Sequence, residues 1–181
     1  MPITYKNQKD DIYHIHEGKT KTGKPKWFLS TKQDGKMMDY IPEGYEIHES
    51  PDGRVSLIRT FISLFTDDEI HIIKHFFDKG TNKRSYKVDV KKEGIVVFRS
   101  NQSIDECRKI IQDFRPFFIR ESKLEENIKK FLTYSPWLRF VKRKNDSRIM
   151  LEKWDLSGFE ARWTLIEIAD NLTGVAKRYS N

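Results

Sequence analysis

Turn signals interrupt the first third of the chain so often that no long helix can form there. Gly18 to Gly23, Asp34-Gly35, Pro42-Glu43-Gly44 and Ser50-Pro51-Asp52-Gly53 succeed one another with only short runs between them, and glycine and proline punctuate backbone by supplying positive φ or by fixing it. The runs between these signals are β-like. Asp11-Ile12-Tyr13-His14-Ile15-His16 alternates apolar and polar residues, and Trp27-Phe28-Leu29 answers it across the Gly-Lys-rich turn as a hairpin. Met37 to Tyr40, Tyr45 to His48 and Arg54 to Arg59 continue the pattern, so residues 11–60 read as an antiparallel β-meander.

The middle of the chain changes period. Thr66-Asp67-Asp68-Glu69 is a helix start in which Thr66 caps the Glu69 N–H and Glu69 reaches back, and Ile70, Ile73, Phe76 and Phe77 continue at helical spacing up to a stop at Gly80. Tyr86-Val88-Val90 and Ile95 to Phe98 form a second hairpin about Glu93-Gly94. Ser103-Ile104-Asp105-Glu106 repeats the capping pattern, and Ile104, Cys107, Ile110, Ile111 and Phe114 make its apolar stripe, ended or kinked by Pro116. A further helix is expected over 121–134, with Leu124, Ile128, Phe131 and Leu132 on one face, stopped by Ser135-Pro136. The remainder reads as β: a pair over 137–141 and 148–153, a strand within 159–169, and a short last helix over 172–179 capped by Asp170 or Asn171. The expected fold class is therefore α+β, with an N-terminal β-meander, a helix-hairpin-helix middle and a β-rich C-terminal part. It is expected to be one integrated unit, 1–181, divisible into lobes at 1–62 and 63–181.

Composition narrows the function. A chain of 181 residues, 37% hydrophobic and 34% charged, can bury a real core behind a well-solvated surface. The apolar run at Phe61-Ile62-Ser63-Leu64-Phe65 is too short to span a bilayer, and Met1-Pro2-Ile3-Thr4-Tyr5-Lys6 does not read as a signal peptide, so a cytoplasmic protein with no membrane partner is expected. Cys107 is the sole cysteine; it permits no internal disulfide and reads as a buried, inert thiol. The net charge of +7 is spread thinly, at +1 over 1–60, +2 over 61–103 and +4 over 104–181. It favours polyanionic partners without forming a basic tail.

Gly18-Lys-Thr-Lys-Thr-Gly23-Lys24 has the spacing of a phosphate-binding loop, but the next residue is Pro25, which has no hydroxyl for magnesium, and Lys26 to Ser30 read as a strand instead of a helix. The segment is a basic hairpin tip. The same string with Pro25-Lys26-Trp27-Phe28, then Ile41-Pro-Glu-Gly-Tyr-Glu-Ile47 and Ser50-Pro-Asp-Gly53, resembles the front half of a family of uncharacterised bacterial proteins. Trp137-Leu-Arg-Phe140, Arg148 to Trp154 and Ser157-Gly158 are similar to its back half. The resemblance implies one integrated unit and transfers no activity, cofactor or site residue.

Three function classes are open. Lys19, Lys21, Lys24 and Lys26 lie in an acid-free segment beside Trp27, and Arg139, Lys142, Arg143, Lys144 and Arg148 are opposed within their span only by Asp146. Such clusters suit the phosphates of a nucleic acid, with the tryptophan available for base stacking. A non-enzymatic nucleic-acid-binding protein is therefore the leading reading, without a catalytic residue or cofactor. The alternative is an adaptor or homodimer, because four tryptophans, seven tyrosines and twelve phenylalanines exceed what a core of this size needs and aromatics anchor interfaces; Trp154 and Trp163 flank a bend at Ser157-Gly158. A metal-dependent nuclease is third, through Asp89-Val90-Lys91 and Glu152-Lys153. No metal site is assigned. His14 and His16, about 6.5 to 7 Å apart on one strand face, could share an ion with His48, Asp39 or Glu49, but they read as the solvent side of that strand, and His71 and His75 as a solvated helix face.

Overall fold

The computed structural model describes residues 1–77, 85–114, 124, 128, 130–157 and 160–180. Expectations at Gly80, at Pro116, for much of the 121–134 helix and at Gly158-Phe159 fall outside them. The chain divides into two compact units, Met1–Thr60 and Phe61–Asn181.

The first unit holds two sheets. Strands β1 (Thr4–Lys6), β2 (Ile12–Lys19), β3 (Pro25–Ser30) and β4 (Lys36–Met37) form a four-stranded sheet in which β1, β3 and β4 all pair with β2. A separate antiparallel ribbon comes next, made of β5 (Tyr45–Glu49) and β6 (Val55–Arg59). Alternation on β2 sends Ile15 into a small core, and Trp27, one residue from Phe28 on β3, meets Tyr45 edge-on at 5.4 Å. Tyr5 Oη donates to Glu49 at 2.8 Å, tying β1 to the ribbon. Asn7 is buried and donates to the Gly53 carbonyl at 2.7 Å.

The second unit is built on one antiparallel sheet, in the order β11-β10-β9-β8-β7, from β7 (Tyr86–Val90), β8 (Gly94–Ser100), β9 (Tyr134–Arg143), β10 (Asp146–Asp155) and β11 (Arg162–Ala169). Helices α1 (Asp67–Phe77) and α3 (Leu172–Tyr179) cover one face. Ile73, Phe77, Leu172 and Val175 pack there on Ile95, Val97, Leu138, Phe140, Ile149 and Leu151, and each such side chain contributes about 1.5 to 3 kcal/mol when fully buried. Phe77, Tyr86, Trp137 and Phe140 form an aromatic group within this core. Helix α2 (Ile104–Phe114) packs Cys107 and Ile111 against Ile128 and Leu132 as a second, smaller cluster.

Helix starts obey local chemistry. The Thr66 N–H donates to Glu69 Oε2 at 2.9 Å and the Glu69 N–H to Thr66 Oγ1 at 3.3 Å. Ser103 and Glu106 repeat that reciprocal box, and Asn171 Oδ1 accepts from the Gly174 N–H at 3.0 Å; each cap satisfies donors that a helix end leaves open.

The α+β expectation is corrected: strand takes 44% of the described residues and helix 21%, so the chain is mainly β with few helices. Among the described residues there is no helix-hairpin-helix middle. The β7–β8 hairpin does not stand between its flanking helices as a module, because β8 pairs along its length with β9 and is interior to the five-stranded sheet. At the front β1, β2 and β3 pair in sequence order as a meander, but the pattern does not run on to residue 60, since β4 returns to β2 and β5–β6 form a two-stranded sheet of their own. Pro136 does not stop a helix but sits inside β9, where the register shifts between Val97 and Phe98; a bulge is the place in a central strand where proline's missing N–H is tolerated. Leu124, Ile128, Lys130 and Phe131 are helical, but Tyr134 already belongs to β9 and Phe131 is exposed. No helix among the described residues is long and apolar enough to cross a membrane.

Gly94 is required by close approach. A Cβ there would lie 2.8 Å from the Phe140 carbonyl oxygen, within the β8–β9 ladder where backbone cannot yield. Gly94→Ala is expected to destabilise the second unit by about 1 to 3 kcal/mol in urea denaturation; an unchanged midpoint would show that this ladder is looser than described.

Candidate nucleic-acid interface

Two hairpin tips and one sheet face carry the candidate residues. At the first tip the turn is closed by the Thr20 N–H donating to the Lys24 carbonyl at 2.8 Å and the Gly23 N–H to the Thr20 carbonyl at 2.9 Å, with Gly23 at φ +80°. Thr20 Oγ1 also accepts from the Lys24 N–H at 3.1 Å. Pro25 opens β3 directly, so the glycine-lysine turn runs into a strand and no helix N-terminus faces it. Lys19, Lys21, Lys24 and Lys26 are all exposed, and none has an acidic partner among the described residues. Trp27 is half-buried against Tyr45, whereas Phe28 is more exposed and stacks on His16 with ring centroids 5.4 Å apart.

The second cluster lies in the other unit and is already partly spent. Lys142 projects to the helix-covered side, 5.2 Å over the Phe65 ring, and pairs with Glu69. Burial alone would raise the Glu69 carboxyl, but hydrogen bonds from Lys142 and Thr66 outweigh it and hold the group below its ordinary value. Arg148 holds Asp146 in a fork, Nε to Oδ1 at 3.0 Å and Nη2 to Oδ2 at 2.9 Å, and these bonds lower that carboxyl to about 2. Arg139 Nε donates to Glu152 at 2.6 Å. Arg143 and Lys144, at the β9–β10 turn, are exposed and make no ion pair among the described residues.

The sheet face away from α1 and α3 was not legible as a site. Register places Asp89, Val96, Arg139, Glu152 and Leu165 in one row across β7 to β11, and Trp154 directly opposite Trp163. The two indoles tilt at 59° with centroids 5.0 Å apart, and the Arg139 guanidinium lies 4.7 Å over the Trp163 ring. Phe98, Pro136, Val96 and Val141 complete a groove of about 590 Å³ that ends at Lys91, Lys92 and Glu93. Lys91 is 3.5 Å from the buried Asp89, and the exposed Lys92 has no acidic partner among the described residues.

The histidine expectation is corrected. His14 and His16 are buried, not solvent-facing, because β2 is paired on both edges and the segment after β3 covers this face: His16 Nε2 lies 3.0 Å from the Lys32 carbonyl oxygen. His14 Nδ1 is buried without a hydrogen-bond partner among the described residues. His71 and His75 are exposed on α1. No group of three or more His, Cys, Asp or Glu gathers at metal-binding distance among the described residues; Asp89 and Glu152 are separated by three strand spacings, about 14 Å. Cys107 is buried, and burial, with the nearby Glu106, pushes its thiol up, away from nucleophilic character.

The Glu69–Lys142 pair gives a pH signature. A carboxyl held low in the fold adds stability that is present above its ordinary pKa and disappears as pH falls through the lowered one. Lys142→Met is expected to cost about 1 to 3 kcal/mol at neutral pH, and the gap between variant and parent should close as pH falls from 5 to 3. Thermal melts across that range check it; a gap independent of pH would refute the assignment.

Against protein-family models, curated proteins and solved structures, the chain has no match.

Proposed function

We propose that the protein binds nucleic acid, contacting phosphates through the β2–β3 hairpin tip and through Arg143 and Lys144 at the β9–β10 turn. The observation that carries this is the state of the charges. Folding consumes Lys142, Arg148 and Arg139 in pairs with Glu69, Asp146 and Glu152, yet leaves Lys19, Lys21, Lys24 and Lys26 exposed and without acids on a turn whose backbone is fixed. Cations with no internal partner on a defined loop are what a phosphate backbone requires, since affinity comes from releasing its counterions. The reading assigns no bond-breaking step to any residue.

A second reading has its own observation. Strand β11 is an edge of the five-stranded sheet and exposes Leu165, Ile166 and Ile168 at 51%, 41% and 49%. An apolar edge strand is a template for pairing with another chain, which supports an adaptor or homodimer. Concentration-dependent light scattering, abolished by Leu165→Lys, would favour it.

Phosphate contact predicts a steep loss of affinity with salt. Replacing all four tip lysines with glutamine should flatten the slope of log K against log salt by about 2 to 3 on single-stranded DNA, at about 0.7 per neutralised phosphate. Fluorescence anisotropy at several salt concentrations reads this; undetectable binding, or an unchanged slope in the variant, would refute the reading.

A further inference from the structure

We propose that the groove on the open face of the five-stranded sheet holds an unpaired base of a single-stranded nucleic acid, stacked on the Trp154–Trp163 pair with a phosphate at the Lys91–Lys92 turn. This rests on the nucleic-acid reading and extends it, by adding a preference for single strands and a base-binding groove to the phosphate contacts.

The walls are the first ground. Trp154 and Trp163 are half-buried, so their rings remain accessible within a concave site with an apolar floor formed by Val96, Val141 and Phe98. A volume of about 590 Å³ lies inside the range of sites that enclose small organic ligands and accommodates one nucleotide. Flat aromatic walls favour a flat occupant, and every base offers a π-face.

Preorganisation is the second. Arg139 is held from one side by Glu152 and rests on Trp163 from the other. The guanidinium and indole are thus fixed before any ligand arrives, and little side-chain entropy is lost when a further ring joins the stack.

Polarity is the third. The groove runs from indoles at one end to a lysine turn at the other, whose backbone is fixed by the Leu64 N–H donating to the Lys92 carbonyl at 3.0 Å. Lys91 is neutralised by Asp89 but Lys92 is not. An apolar peptide segment laid in the groove would desolvate Lys92 without supplying a partner, which costs free energy; a phosphate supplies one. In a duplex the bases are stacked on each other and cannot enter, so the groove discriminates against double strands.

The experiment titrates the full chain with a labelled single-stranded DNA dodecamer, its duplex and a nucleoside monophosphate, in parallel for the parent, Trp154→Leu, Trp163→Leu, Lys92→Gln and the four-lysine glutamine variant. The single strand is expected to quench tryptophan emission of the parent. Each tryptophan variant should lower the ratio of single-strand to duplex affinity about 5- to 100-fold, and Lys92→Gln should lower it several-fold. Lys92 is exposed, so this variant tests the groove even where a tryptophan variant fails to fold. If these variants keep the parent's ratio while the four-lysine variant loses binding, the groove assignment falls and the phosphate reading stands. Equal quenching by the monophosphate would overturn the assignment to a strand. Binding of neither strand by the parent would remove the underlying reading itself.

Discussion

Pairing of β8 with β9 is the interaction on which the second unit depends. It joins a hairpin that ends at Ser100 to a strand that begins at Tyr134, more than thirty residues later, and so converts two local hairpins and an edge strand into one sheet. Once Val96 faces Arg139, the period of two assigns every neighbour a side. Ile95, Val97, Leu138 and Phe140 go beneath the helices, and Phe98, Arg139 and Val141 go to the other face. That partition makes a core on one side and an aromatic, cation-edged groove on the other.

Charge is divided by the same geometry. Two cations on β9 are held by acids, Lys142 by Glu69 and Arg139 by Glu152. The four lysines of the β2–β3 tip have no acidic partner among the described residues and keep their charge for solvent or a partner. A net charge of +7 therefore understates the contrast, because cations without an acidic partner among the described residues gather at the β2–β3 tip and recur at Arg143, Lys144 and Lys92. Paired cations support the fold; the remaining ones define where a polyanion would sit.

Local chemistry was the legible part. Both capping boxes, the Asn171 cap and the turn at Gly23 depend on residues within four positions of one another, and each forms as its sequence indicates. Long-range pairing was not legible. Pro136 resembles a stop signal until a register shift gives it a place in β9, and the shift between Leu151 and Glu152, which skips Ile166 on β11, is what brings Trp163 opposite Trp154. His14 and His16 alternate like solvent-facing residues, yet strands on both edges of β2 and the segment beyond β3 bury them. The fold class failed for the same reason. Helix starts are strong local signals, and in a bare sequence they outweigh strands whose partners are distant.

The claim that folding leaves cations on turns and one aromatic groove for nucleic acid is tested most directly by NMR titration of the labelled protein with a single-stranded oligonucleotide. The account predicts shifts concentrated in the backbone amides of residues 19–26 and in the indole Nε1–H signals of Trp154 and Trp163, with the Trp137 indole in the core unmoved. Shifts confined to β11 and the α3 surface, or none at saturating oligonucleotide, would contradict it.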